Sequence, residues 1–288
     1  MNSVSPEIQG WALSSPQPSN VEKAVPADVV ASDLAAYCLM LGDDALVLSH
    51  RLSEWGGRAP ELAENLALGS IALQLLTEAD GLLARAAELE GTGADQDRLA
   101  YFRDAREFRN VRLVEVDCGP GPGGDFAMTV ARSLLFASWR RVVFERLLTS
   151  RDPALSVLAA NSLASATRHR DHAARWVIRL GGGSAGARGR MLSGLERVWP
   201  LAGELFHPHE VEIRLARQGC AVDPATVCEE VAADLQETLS AAGLRLPDLT
   251  TQTPFAGPGG REGAHTASMD FVVAEMQHIA RADSPLQW

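Results

Sequence analysis

From Ser32 onward apolar side chains return every three or four positions, at Leu34, Cys38, Leu41, Ala45, Leu48, Leu52 and Trp55, until Gly56-Gly57 interrupts the series. That period belongs to one face of an α-helix, and glycine ends one. A second periodic stretch opens at Pro60, where a missing N–H costs nothing, and runs to Gly91. Its two stripes, Leu62/Leu66/Leu73/Leu76/Leu83 and Leu68/Ile71/Leu75/Leu82, make an apolar face wide enough for a helix buried among several others. This segment is therefore expected at the centre of the fold. Helical patterning resumes from Phe126 to about Leu148. Asp152 as cap and Pro153 in the first turn then start a helix that stops at Leu180 to Gly183. Four long helices with short links inside each pair predict an all-α bundle.

The connections are less regular. Between the two pairs, "ADQDRLAYFRDAREFRNVRLVEVDCGPGPGGDF" breaks the helical period, and only the edges of 103–118 look strand-like. Beyond the fourth helix come "RMLSGLERVWPLAGELF", with a kink expected at Pro200, then "HEVEIRLARQG", then a capped helix opening "DPATVCEEV". A Gly-rich loop, "TPFAGPGGREGAH", precedes the last helix. Residues 1–28 mix Pro, Ser and polar residues without a period and read as a flexible leader. The remainder, 29–288, reads as a single domain with a four-helix core at about 31–181 and accessory helices over 187–288.

Composition narrows the class. A hydrophobic content of 46% in 288 residues supports a sizeable core, and a formal charge of −11 disfavours nucleic acid or an anionic membrane as partner. No uncharged apolar run reaches the length of a membrane span. Cys38, Cys118, Cys220 and Cys228 form no C-x-x-C pair, so free thiols in a reducing cytoplasm are expected.

The chemistry-bearing motifs are ambiguous by themselves. Three E-x-x-H matches occur, Glu204/His207, Glu262/His265 and Glu275/His278, the spacing by which one helix gives a di-iron centre two ligands. None lies in the four long helices. The first sits beside Pro208, the second in the Gly-rich loop, and only the third on a good helix, where Met276 and Ile279 compete to define the buried side. "FHPHEVE" offers His207, His209 and Glu210 without further ligands at zinc spacing, and reads as a solvated turn. His169 and His172, flanking Asp171 among arginines, read as a solvated or partner-facing surface. "GGGS" after Leu180 is a helix stop rather than a phosphate loop. In "YFRDAREFRN", Arg103, Arg106 and Arg109 cluster around Phe108, a combination suited either to an anionic nucleotide-like ligand or to ion pairs that lock a loop.

Longer stretches carry a resemblance. "YCLMLGDDALVLSHRLSEWGGRAPELAENLAL", "FRDAREFRN", "SRDPALSVLA", "GCAVDP" and "GGREGAHTASMDFVVAEMQHIA" together resemble the structural C subunits of the multicomponent ring-1,2-phenylacetyl-CoA epoxidases of bacterial phenylacetate catabolism, over about Ala35 to Trp288. The resemblance implies a ferritin-like fold and a cytoplasmic subunit of a monooxygenase complex. It pairs this chain with a homologous catalytic subunit that carries the di-iron centre, and it assigns this chain no cofactor, no metal and no catalytic residue. Without that partner the chain is expected to self-associate or to be poorly stable. In the family register the E-x-x-H slots fall near Leu75/Glu78 and Ser165/Arg168, with Ala137 near the slot of the third helix. Leu, Ala and Arg are not iron ligands, and Arg adds a repelling charge. The resemblance also implies help in binding the acyl-CoA substrate through Glu107, Phe108, Arg109 and Asn110, and through Ile213, Arg214 and Leu215. The rival readings are an autonomous di-metal oxidase using Glu204/His207 and Glu275/His278, and a ferritin-like storage protein without an epoxidase partner.

Overall fold

The computed structural model describes residues 24–121, 124–251 and 255–282. All the regular elements among them are helical. The long helices are α1 (Ala31–Ser53), α2 (Leu62–Glu90), α5 (Phe126–Leu147) and α6 (Pro153–Gly181). Two short helices, α3 (Gln96–Tyr101) and α4 (Arg112–Glu115), lie in the crossover between α2 and α5. Two antiparallel hairpins, α1/α2 and α5/α6, joined by one long crossover, make a ferritin-like four-helix bundle. Accessory helices α7 (Ala185–Val198), α8 (Glu210–Arg217), α9 (Cys228–Ala241) and α10 (Ala267–Ala282) wrap it, α7 and α9 against α5, α8 and α10 against α1.

Local chemistry sets the helix ends. Gly91 closes α2 in the left-handed region at φ 62°. The Asp125 carboxylate accepts from the Met128 N–H at 2.8 Å, and that of Asp152 from the Leu155 N–H at 2.8 Å, capping α5 and α6. At Trp199 the α7 helix tightens into a 3-10 segment, Trp199–Phe206, because Pro200 has no N–H to continue the ladder. The strand-like edges of 103–118 are instead a 3-10 turn and the single turn of α4.

Two expectations about burial change. The central helix is α5, buried on nearly all sides from Ala127 to Leu147. By contrast α2 turns only its Leu68/Leu75/Leu82 side inward, and Leu62 and Leu66 are 76% and 66% exposed. A wide apolar face marks two contact surfaces as readily as one deep core. Among the described residues α2 is also the one helix apolar and long enough to cross a membrane when a window with up to two charges is allowed, although its longest uncharged run, between Glu64 and Glu78, stays short of a span as the sequence indicates. Its inner side nevertheless carries the buried, ion-paired Glu78 and Arg85, which belong to a bundle interior.

The leader reading covers residues of which 1–23 lie outside the described ones. Residues 24–28 are tied down: the Asp28 carboxylate takes two bonds from Arg151, each 2.9 Å, and Val25 packs on the core. The four cysteines are free thiols, three of them buried.

Candidate functional site: a charge network at the bundle centre

The site begins with three acids that helical periodicity places inside. Asp43 and Asp44 on α1 are fully buried, and Glu78 on α2 nearly so. Each is met by a guanidinium. Arg140 of α5 donates from Nε to Glu78 Oε1 at 2.8 Å, doubles that contact from Nη2, and also reaches the Leu41 carbonyl at 2.8 Å. Its Nη1 stands 3.9 Å from Asp44. Phe144 lies under the same guanidinium, 4.6 Å from its ring centre. Arg261, from the Gly-rich loop, bonds Asp44 at 2.8 Å and the Met40 and Arg109 carbonyls at 2.9 and 2.7 Å. Arg103, from the crossover, grips both oxygens of Asp43 and stacks on Phe108, 4.2 Å from the ring centre.

Glycine makes this reach possible. A Cβ at Gly260 would stand 1.8 Å from the Asn110 carbonyl oxygen, so only glycine lets the loop lie against the crossover. The crossover is held by backbone as well: Asp43 accepts from the Arg109 N–H and Asp44 from the Val111 N–H, both at 2.8 Å. Burial pushes the Asp44 and Glu78 carboxyls above the ordinary range, and the charges of Arg261 and Arg140 oppose that.

All three E-x-x-H pairs are engaged elsewhere. Glu204 accepts from the Arg112 and Gly260 N–H groups at 2.9 and 2.7 Å, while His207 packs on Phe255. Glu262 caps the Gly259 N–H at 2.8 Å, and His265 bonds Glu115 at 2.8 Å. Burial works against the charged imidazole of His265, but Glu115 more than compensates and holds it above its usual range. Glu275 and His278 are both exposed on α10, whose inner side is Met269, Val272, Val273 and Gln277; Ile279 points outward. Glu275 faces His50 at 3.5 Å, near Glu54, which Arg51 holds at 2.7 Å.

The histidines of α6 are not solvated, contrary to the sequence reading. His169 bonds Gln74 at 2.9 Å and His172 bonds Glu64 at 2.9 Å, because α6 packs on α2 along this line. Burial, with Arg168 and His172 nearby, lowers the His169 pKa to about 4. The inward register of α6 is therefore Ala166 and His169, one residue beyond the expected Ser165 and Arg168; Arg168 is exposed and bonds Ser165. His209 caps α8, accepting from the Val211 N–H at 3.2 Å.

The crossover segment divides by burial. Phe108 and Asn110 are fully buried, Glu107 is exposed and Arg109 partly so, its Nη1 bonded to the Arg106 and Phe108 carbonyls at 2.8 and 3.0 Å. On α8, Leu215 is buried, Ile213 half-buried, and Arg214 is exposed and doubly bonded to Asp33 at 2.8 Å. The two segments attach to α1 at Asp43 and Asp33, about 15 Å apart along the helix. They are thus not one cluster on this chain.

Whether the centre fits the di-iron group of its fold class is decided by its donors. A carboxylate-bridged pair of ions needs two carboxylates and two E-x-x-H pairs facing inward at one level. Here the facing residues are Asp44, Leu75, Glu78, Ala137, Arg140, Ala166 and His169. Four of these, Leu75, Ala137, Ala166 and Arg140, offer no donor, and the Arg140 guanidinium is bonded to the acid that would have to ligate. The residues do not fit the group, and Arg140, which no sequence motif singles out, is the signal that sequence reasoning missed.

A bundle of this topology, its interior closed by ion pairs, defines a ferritin-like protein. The phenylacetic acid catabolic protein family matches residues 19–288, and the chain belongs to it. Among its relatives is the C component of the 1,2-phenylacetyl-CoA epoxidase of Escherichia coli K12, 40% identical over 257 residues that span 89% of this chain and all of the relative.

Proposed function

We propose that this chain is the non-catalytic structural subunit of a phenylacetyl-CoA 1,2-epoxidase complex acting in aerobic phenylacetate degradation, beside a homologous subunit that holds the di-iron centre. The observation that carries the reading is Arg140, a buried cation bonded to Glu78 at the bundle centre, with Leu75, Ala137 and Ala166 around it. A relative matched over its whole length, and named as a component of that epoxidase, supports it. The chain's part is then to stabilise the catalytic subunit and to complete its acyl-CoA site. An open groove of about 800 Å³ lies between the crossover and α10, lined by Arg106, His278 and Arg281 but also by Asp104 and Asp270, with Arg281 3.5 Å from Asp104. Its cations are the groups on this chain that could meet the phosphates of such a ligand. Of the segments expected to bind substrate, Glu107, Arg109, Ile213 and Arg214 are accessible, whereas Phe108, Asn110 and Leu215 hold the backbone beneath them.

The test is co-expression with the di-iron subunit, followed by iron analysis of each chain and acyl-CoA titration of the complex. Iron is expected with the partner only. Arg109→Ala should weaken acyl-CoA about tenfold or more without dissociating the subunits, the loss of one charge-assisted contact. Near-stoichiometric iron in this chain alone would refute the structural role, and unchanged acyl-CoA affinity would refute the binding role.

A further inference from the structure

Leu62, Leu66 and Leu73 of α2 are 76%, 66% and 50% exposed, and Leu76 continues their line. The stripe is about 20 Å long at the rise of an α-helix. Between Glu64 and Asp80 the exposed side of α2 carries no charge, only Leu66, Leu73 and Leu76 with Gly69, Ser70 and Thr77. Exposed leucines scattered singly are ordinary, but a continuous stripe on a well-formed helix is a contact surface. Its middle is made of small residues: Leu66 and Leu73 stand equally far on either side of Gly69-Ser70, which lets a crossing helix approach closely.

The neighbouring ridge belongs to α6. Glu64 to His172 at 2.9 Å and Glu61 to Arg179 at 3.3 Å fix that helix beside α2. Its outward charged positions are Arg168, Arg175 and Arg179, while the acid of the stretch, Asp171, is drawn to Arg170 at 3.2 Å. In a chain of net charge −11, a basic ridge beside an uncharged leucine stripe is a local reversal.

We infer that this α2/α6 face is where a second helical subunit of the assembly docks, through an apolar helix stripe bordered by acidic side chains. The inference rests on the functional reading above and adds the surface by which it operates. A second copy of this chain is the poorer occupant. Antiparallel two-fold packing of α2 on its own copy sets the Arg168/Arg175 ridge against itself, and like charges so placed repel.

The experiment uses the full chain and the di-iron subunit of the same complex. Leu66→Glu/Leu73→Glu should weaken their association about 100-fold or more, while Phe271→Glu, on the exposed side of α10, leaves it intact. Arg168→Glu/Arg175→Glu should weaken it at about 50 mM salt and much less at about 500 mM, since screening removes the difference. Hydroxyl-radical labelling of the unmutated chain needs no variant: Leu66 and Leu73 should be protected in the complex. Full labelling of both leucines in an intact complex overturns the proposal and leaves the functional reading standing. Failure of the unmutated chain to bind the di-iron subunit at all removes both. A homodimer, or binding to anionic phosphatidylglycerol vesicles, that the leucine variant abolishes while the heteromeric complex persists would reassign the face.

Discussion

Arg140 shows how much of this protein is decided by single buried charges. Removing it leaves Glu78 without its partner inside the bundle and Asp44 with one neighbour fewer, so Arg140→Ala should cost about 3–5 kcal/mol in urea unfolding. Adding Glu78→Leu removes the stranded charge as well, and the double variant should recover part of that loss. If the single change costs under about 1 kcal/mol, the network is not buried as described. Two other groups shape the pH dependence with opposite sign. His169 is lowered from an ordinary 6.5 to about 4, chiefly by burial, so from pH 6.5 down to 4 the unfolded chain binds the extra proton and stability falls. Glu212 is raised by burial from 4.5 to about 7, so the unfolded chain releases its proton first and stability falls as pH rises from 4.5 to 7. His169→Gln should therefore flatten the acid side and Glu212→Gln the neutral side, each read from unfolding at a series of pH values. Exchanged effects, or none, would contradict the burial of these two groups.

At the scale of elements, the four long helices were legible because their ends are written in local chemistry: Asp152-Pro153 before α6, Gly91 after α2, apolar residues at three and four between. What each helix faces was not. The leucines of α2 have the same spacing whether they meet a core or a partner, and Arg140 has the same side chain on a surface as in the centre of a bundle. A one-residue slip in α6 moved the inward pair from Ser165/Arg168 to Ala166/His169, because periodicity fixes a face only to within one position. The crossover was unreadable for a different reason: although the Asn110–Glu115 bond is made locally, Arg103 and Asn110 are held by Asp43 and the Gly-rich loop, both distant in sequence. That dependence can be measured. Asp152 both caps α6 and pairs with Arg85 at 2.6 Å while fully buried, so Asp152→Ala should cost about 3–5 kcal/mol, far more than the ~1 kcal/mol of an ordinary cap. Asp125→Ala, whose residue is half-exposed and whose carboxylate caps α5, provides the comparison and should stay near the lower figure. Equal losses from the two would mean that the Arg85 pair contributes nothing.

At the scale of the molecule, a bundle that gives its centre to an ion-paired network keeps the ferritin-like shape while giving up the donors that such a shape can hold. Shape is what a pseudo-symmetric partner would recognise, and the outward leucines of α2 are apolar surface that only association buries. Binding that occurs in the folded state alone must stabilise it by mass action. With the partner at about a hundred times its dissociation constant the gain is about 2.7 kcal/mol. For a domain above about 150 residues that corresponds to roughly 5–10 °C in Tm, growing with the logarithm of partner concentration. The measurement is a thermal titration of this chain with the di-iron subunit, following a tryptophan signal from whichever chain unfolds first. The same titration with Leu66→Glu/Leu73→Glu should show no concentration dependence, although the variant alone should melt close to the unmodified chain because both leucines lie outside the core. A Tm that ignores the partner in the unmodified chain would mean that the two subunits fold and persist independently, and the structural role proposed for this chain would have no energetic basis.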